Sequence, residues 1–588
     1  MKARSRNVNA RGRLLAVAGV LALAAIALVT RAAWLQLLHN DFYQRQGDAR
    51  FLRDIPIAAS RGAILDRNGE PLAVSTPVAS IWANPQELLQ YPDHLPALAK
   101  ALDINPDALV QRLAQRADRE FVYLRRHLSP DATAAILALQ IPGVAAQREF
   151  RRFYPAGAVA AHVLGFTNID DVGQEGLELA FNDWLTGKPG VKRVIRDRLG
   201  RVVENVDLLR AAEPGRDLVL SIDRRLQYLA YRELSTSLRE RDANAGSVVI
   251  LDVATGEILA MVNLPSHNPN SRDGDNIGAQ RNRALTDVFE PGSVMKAFTA
   301  VAAMESGKFT PDTLIATSPG YIALQGGYTI HDFKDYGTLS MAGVLIKSSN
   351  VGAIKIADQL TAEQQYNTYQ RFGLGQSTGS GFPGESAGVL PTASAWGPVE
   401  KQTIAYGYGV SVTALQLARA YAAFGNGGVL PTPSFVKNTP PQQRQIVAPA
   451  IAGKVLNILE AVTGEGGTAS RSRVPGYRVA GKTGTSRKAS GGGYAEKRYV
   501  SVFVGLAPVS RPRLAMAVVI NDPKGEEYGG GAVAAPVFRS IMTGALRLLD
   551  VPPDHIEQWY AQMPGKPAEA VAARVPESTT AKQSGAAL

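Results

Sequence analysis

A serine hydroxyl is a poor nucleophile until a base sits beside it. A lysine three residues further along a helix can supply that base, because this spacing puts both side chains on one face a turn apart. The chain holds the pattern twice, about as often as chance allows in a sequence of its size: Ser293-Val294-Met295-Lys296 and Ser434-Phe435-Val436-Lys437. The second sits between Pro431-Thr432-Pro433 and Thr439-Pro440-Pro441, which forbid the required helix. The first follows Glu290-Pro291-Gly292 and leads into the apolar run 297–304, the pattern of a helix start. The positive end of that helix would stabilise an alkoxide on Ser293, and burial would push Lys296 toward its neutral, basic form. On Ser-x-x-Lys alone, a capping serine and a solvated lysine remain the better account.

Two other motifs compete. Gly476-Tyr477-Arg478-Val479-Ala480-Gly481-Lys482-Thr483 matches a phosphate-binding loop letter for letter. Its Tyr477-Arg478-Val479-Ala480 reads as strand, however, and residues 485–494, with Ser490-Gly491-Gly492-Gly493, cannot open the helix that would hold a phosphate. Gly375-Gln376-Ser377-Thr378-Gly379 fits the Gly-x-Ser-x-Gly elbow of hydrolases but lacks the preceding buried strand, so it reads as a surface loop. The seven His are scattered, and the absence of Cys excludes disulfides, thiolate metal sites, iron–sulfur clusters and a Cys nucleophile. No metal and no cofactor are expected.

The elements that must position Ser293 emerge from composition. At 588 residues and 45% hydrophobic content the chain is too long for one domain of roughly 150 residues and too apolar to be disordered. A net charge of +11 suggests nucleic acid until it is located: Lys2, Arg4, Arg6, Arg11 and Arg13 supply five before residue 14. No nucleic-acid partner is therefore expected. Residues 14–38 can cross a bilayer core, for which about 20 residues suffice, if Arg31 snorkels to the far interface and Trp34 anchors there. The basic tail 1–13 then stays cytoplasmic and the chain from residue 39 lies outside. Ala22-Leu23-Ala24 resembles a signal-peptide cleavage site, but the apolar run continues past it.

Residues 41 to about 216 are charged and Arg-rich, with strand-like pieces at 78–82 and 191–195, helical pieces at 106–114 and 131–139, and no nucleophile–base pattern. From Asp217 the character changes, beginning with the apolar run 218–222. An amphipathic helix at 224–240 precedes strands at 247–253 and 258–262, and further strands at 499–506 and 514–520 precede an apolar helix at 535–549. Strands near both ends with helices between them predict one antiparallel sheet covered by a helical insert. The tail 564–588, rich in Ala, Pro, Ser and Thr, is expected to be disordered.

Two further fragments change the standing of Ser293. After a predicted helix at 341–347 comes Ser348-Ser349-Asn350, and Ala480-Gly481 leads on a strand-like segment into Lys482-Thr483-Gly484-Thr485. The order Ser-x-x-Lys, Ser-x-Asn, Lys-Thr-Gly resembles that of penicillin-binding proteins and serine β-lactamases. Arg281-Asn282-Arg283, the runs 286–292, 347–352 and 413–418, Arg61-Gly62-Ala63-Ile64-Leu65-Asp66-Arg67-Asn68-Gly69 and Gly173-Gln174-Glu175-Gly176-Leu177-Glu178 narrow the resemblance. They point to the division-specific class B penicillin-binding proteins, and the likeness extends from the membrane segment to about Leu549. Ala297 departs from the proline that relatives usually carry after the active-site lysine; alanine suits a helix better.

The resemblance implies an α/β (α+β) chain. A β-lactamase-like transpeptidase domain with a central antiparallel sheet and helical insert would occupy 221–563. An elongated, non-catalytic pedestal of the dimerisation type would occupy 39–220, behind a transmembrane signal anchor at 14–38. It implies that Ser293 attacks the penultimate D-Ala carbonyl of a peptidoglycan stem peptide, with Lys296 taking its proton, Ser348 and Lys482 relaying it to the leaving amine, and Asn350 holding the acyl side-chain amide. The amides of Ser293 and Thr485 would form the oxyanion hole, and the strand Thr483, Gly484, Thr485 would pair with substrate. Tyr494, Tyr499 and Tyr528 either wall the pocket or are ordinary loop aromatics. β-Lactams would acylate Ser293. The implied partners are a membrane-embedded glycan polymerase of the SEDS family and other division proteins, at the septum of a bacterial inner membrane. Two alternatives stand beside this: a D-Ala-D-Ala carboxypeptidase or β-lactamase-type hydrolase on the same fold, and a non-catalytic β-lactam sensor or scaffold.

Overall fold

The computed structural model of the chain describes residues 10–38, 52–196, 202–271, 277–490 and 493–554. The residues before Ala10 and the tail 564–588 lie outside the described residues. The apolar run forms a helix at Ala10–Ala33, 24 residues long, continued by a π-helical turn at Trp34–Leu38. At 1.5 Å per residue such a helix exceeds the roughly 30 Å of a bilayer core. It is long and apolar enough to cross a membrane and is buried against nothing among the described residues. The Arg31 guanidinium lies 4.3 Å from the Trp34 ring centre, so the charge and the amphipathic ring share one end of the helix.

The rest divides into two compact units. The first comprises residues 75–151 and 187–215 with the chain up to Arg61. Its helices start where the sequence offers a cap followed by proline: Asn105 caps Pro106–Ala114 and Ser129 caps Pro130–Leu137. With Leu95–Leu102 they enclose a core of Leu88, Leu98, Leu102, Leu109, Leu113 and Ile136. Leu52–Ile57, Gly190–Arg196 and Val202–Arg210 form a separate three-stranded antiparallel sheet. The short strand expected at 78–82 is the end of a longer one, Pro71–Ala83, and the helix expected at 131–139 runs Pro130–Leu137.

The second unit contains residues 62–74, 152–186 and everything from Arg216. A buried arginine ties two of its segments: Arg152 Nε donates to Glu178 Oε1 at 2.6 Å, and Arg152 Nη1 donates to the Gly62 carbonyl at 2.7 Å. Its frame is a five-stranded antiparallel sheet in the order Ile258–Leu264, Ala245–Asp252, Leu514–Asn521, Gly493–Ala507, Ala480–Ser490. Both central faces are buried, and alternation sorts the side chains. Val248 and Ile250 face helices Arg224–Glu240 and Gly530–Leu548, while Val249 and Leu251 face a helical layer containing Phe298, Leu415 and Phe424. The edge strand Ala480–Ser490 therefore carries one face toward the helical layer, and that layer contains Ser293.

Candidate active site

The nucleophile candidate sits in a tighter turn than the sequence predicts. Gly292–Met295 is a 3-10 turn, and the α-helix proper begins at Lys296 and runs to Glu305. In a 3-10 turn residues i and i+3 eclipse rather than lie offset, so Ser293 and Lys296 come together: Lys296 Nζ donates to Ser293 Oγ at 3.0 Å. The turn is held from outside. Gly292, at φ +58°, donates its amide to the Gly407 carbonyl at 3.2 Å, and the Tyr421 hydroxyl donates to the Val294 carbonyl at 2.8 Å.

The second fragment is a corner between two helices. Met341–Lys347 ends at Ser348, whose φ of +60° is left-handed and unusual for a residue with a Cβ. Ser349 then caps Asn350–Asp358, its hydroxyl accepting from the Gly352 amide at 2.8 Å. The corner aims Ser348 and Asn350 at Lys296, whose Nζ donates to the Ser348 carbonyl at 2.6 Å, to Asn350 Oδ1 at 2.8 Å and to Ser348 Oγ at 3.4 Å. The third fragment enters from the edge strand: Lys482 Nζ donates to Ser348 Oγ at 2.9 Å. Ser293, Lys296, Ser348, Asn350 and Lys482 thus form one hydrogen-bonded network.

Its electrostatics follow from burial. Lys296 is 1% exposed and Lys482 is 0% exposed. Desolvation, then the neighbouring Lys482 charge, holds the Lys296 amine well below its ordinary range, against the opposing pull of Asp332. Burial lowers Lys482 to about 7. A neutral Lys296 can accept a proton from Ser293, and Lys482 can give or take one near neutral pH.

The Lys-Thr-Gly strand packs directly on the nucleophile turn. A Cβ added to Gly484 would lie 2.5 Å from the Pro291 carbonyl oxygen, and Ser486 Oγ donates to the Glu290 carbonyl at 2.7 Å. Thr485 Oγ1 accepts from the Gly530 amide at 3.0 Å, and Thr483 Oγ1 donates to Thr468 Oγ1 at 3.3 Å. The three tyrosines lie further out. Tyr494 donates to Glu290 Oε1 at 3.2 Å, and burial raises that carboxyl's pKa. Tyr499 and Tyr528 stack face to face with ring centres 3.9 Å apart.

Sequence reasoning missed Asp332. Its Oδ1 accepts from the amides of Asn350 and Val351, the latter at 3.1 Å, and its Oδ2 accepts from Ser349 Oγ. It therefore caps the helix that presents Asn350 from a position just past the strand Thr329–His331, where no local spacing could reveal it. Thr468 is a second such residue. The decoys are structural: Lys437 Nζ donates to the Arg67 carbonyl at 2.8 Å, Ser377 lies in a loop, and Lys482-Thr483 lies on a strand rather than opening a helix. Among the described residues no group of three or more His, Asp or Glu could hold a metal ion.

A Ser-x-x-Lys turn, a Ser-x-Asn corner and a Lys-Thr-Gly edge strand converging on one crevice define the penicillin-binding class of serine acyl-transfer proteins. Residues 246–543 match the Penicillin binding protein transpeptidase domain and residues 56–220 the Penicillin-binding Protein dimerisation domain. The chain belongs to the class B penicillin-binding proteins. It is 43% identical over 548 residues to the peptidoglycan D,D-transpeptidase FtsI of Escherichia coli K12, covering 92% of each chain. It is 44% identical to a probable peptidoglycan D,D-transpeptidase, PbpC, of Pseudomonas aeruginosa, covering 93% of this chain and 96% of that one. The transpeptidase domain of Burkholderia pseudomallei penicillin-binding protein 3 matches at 42% identity and a TM-score of 0.53, covering 57% of this chain and 97% of that one. Penicillin-binding protein 3 of Mycobacterium tuberculosis, complexed with aztreonam, matches at 28% identity and a TM-score of 0.66, covering 85% and 98% respectively.

Proposed function

We propose that this chain is a peptidoglycan D,D-transpeptidase that cross-links stem peptides of the septal cell wall and is acylated by β-lactams at Ser293. The observation that carries the reading is one buried amine, that of Lys296, whose Nζ is bonded at once to Ser293 Oγ, Asn350 Oδ1 and Ser348. Lys296 takes the proton as Ser293 Oγ bonds to the carbonyl carbon of the penultimate D-Ala. Ser348 and Lys482 relay that proton from Lys296 to the nitrogen of the terminal D-Ala as that C–N bond breaks, leaving an ester on Ser293. An amine of a second stem attacks the ester, and the proton it sheds returns to Ser293 Oγ. The amides of Ser293 and Thr485 stabilise the oxyanion in both steps, Asn350 holds the acyl side-chain amide, and Thr483, Gly484 and Thr485 pair with the extended substrate as an added strand.

The anchor at 14–38 is single-pass in a bacterial inner membrane, with the N-terminus cytoplasmic and the bulk periplasmic. A glycan polymerase of the SEDS family and other division proteins are the partners. The test is labelling by a fluorescent penicillin. The parent labels stably and Ser293→Ala does not; label persisting on the alanine variant removes Ser293 from its role, and rapid loss of label from the parent favours a hydrolase.

A further inference from the structure

Beside the Ser-x-Asn corner a small hairpin shows a face that nothing within the described chain covers. Its strands, Tyr321–Ala323 and Thr329–His331, place Tyr321 opposite His331, with ring centres 5.7 Å apart. Alternation sends Ile322 and Ile330 to the other side, against Leu324, Ala353, Ile354 and Tyr406. The alternation continues beyond the strand. Asp332 turns inward to cap Asn350–Asp358, and Phe333 turns outward and is 98% exposed. Tyr321 is 51% exposed.

Scattered exposed rings need no explanation, but these sit together on a backbone that is tied down. The Asp332 amide donates to the Gly320 carbonyl at 2.8 Å, the Thr317 amide to the Gly337 carbonyl at 2.7 Å, and Ser318 Oγ and the Gly337 amide each to Asp335 Oδ1 at 2.8 Å. The face is also continuous with the crevice, since Asn350 Nδ2 donates to the His331 carbonyl at 3.3 Å while Asn350 Oδ1 accepts from Lys296.

That continuity selects the occupant. If the chain is a transpeptidase, a reading this inference rests on, the donor stem peptide hangs from a polysaccharide. An extended peptide spans about 3.4 Å per residue, so the sugars carrying a short stem bound at Ser293 lie on the order of 15 Å away. Hydrogen bonds of 3.0, 2.8 and 3.3 Å run from Ser293 Oγ through Lys296 and Asn350 to the His331 carbonyl, two residues before Phe333, so the hairpin begins within that reach. Pyranose rings have apolar C–H faces and hydroxyl rims, and Tyr and His match both with a flat ring and a polar edge. We propose that the outward face of this hairpin, formed by Tyr321, His331 and Phe333, is a glycan subsite that stacks on the sugars of the strand bearing the donor stem.

The test uses the detergent-purified full chain and peptide-free glycan strands released from cell wall by an amidase. The parent binds these strands, and a Tyr321→Ser, Phe333→Ser double variant binds about tenfold more weakly, the size expected for two lost stacking contacts, while labelling by fluorescent penicillin keeps the parent rate. Equal binding by parent and variant overturns the subsite. So does a parent that ignores peptide-free strands, as a face reserved for a protein partner would, and so does a fall in labelling that tracks the fall in binding. Ser293→Ala keeps full strand affinity, so a failure of the labelling arm strikes the transpeptidase reading and leaves the hairpin to be judged on binding alone.

Discussion

Two lysines share one crevice with no carboxylate among the described residues in contact with either, and this arrangement explains how a serine bonded to a lysine rather than a histidine becomes reactive. Burial, and then the Lys482 charge, hold the Lys296 amine well below its ordinary range, and burial brings Lys482 to about 7. Such tuning costs stability. The folded chain releases the Lys482 proton above about pH 7, whereas the unfolded chain keeps it up to the ordinary value of 10.5. In that window the unfolded state binds more protons, so stability rises with pH; at and below pH 7 the full burial cost remains. Lys482→Met is expected to be inactive yet more stable than the parent at pH 7, by a few kcal/mol, since each tenfold change in proton affinity is worth about 1.4 kcal/mol. The gap should close toward pH 10. Urea unfolding at pH 7, 8.5 and 10 checks this, and a gap that is constant or widens would count against a neutralised Lys482. Ser293, Lys296, Ser348, Asn350 and Lys482 were legible in the sequence because their chemistry imposes short, fixed spacings. Asp332 was not, because its cap on Asn350 crosses 18 positions of chain.

At the scale of elements, the site works because an edge strand and a 3-10 turn approach more closely than side chains allow. Gly484 lies against Pro291, and a Cβ on Gly407 would fall 2.1 Å from the Gly292 carbonyl oxygen. Gly484→Ala should therefore push strand and turn apart without unfolding the sheet. Displacements of about 1 Å at a reacting centre cost on the order of 100-fold, so penicillin labelling is expected to slow by about that factor while the thermal midpoint moves little. Labelling at the parent rate would show that the close approach is incidental. The same contacts explain what the sequence concealed. Helices Arg224–Glu240, Pro106–Ala114 and Met341–Lys347 begin and end where apolar period and caps place them. The last helix does not: expected at 535–549, it starts at Gly530, because Gly529-Gly530-Gly531 reads as a loop. Those glycines serve packing instead. A Cβ on Gly530 would sit 2.2 Å from the Val502 carbonyl oxygen, and Thr485 Oγ1 receives the Gly530 amide. A helix start fixed by a distant strand leaves no local trace, and the hairpin at 321–331 is equally silent, with three-residue strands too short to show a period.

At the scale of the whole chain, one exposed apolar helix precedes two compact units, and only the second holds the crevice. A chain beginning at residue 39 is expected to partition to the soluble fraction after cell breakage while labelling at the parent rate; retention in the membrane would reveal an attachment other than the helix at Ala10–Ala33. The fold class was legible from the switch between Arg-rich and apolar segments and from the alternation of strands and helices. The membership of 62–74 and 152–186 in the second unit was not, because the pairing that creates it is long-range, as in Arg152 with Gly62. The most direct measurement of the central claim is peptide mapping by mass spectrometry of the full chain after brief exposure to a penicillin. The account predicts one ester adduct, on the peptide containing Ser293 and on its hydroxyl. An adduct on Ser348, on Ser434 or on any lysine, with Ser293 unmodified, would contradict it.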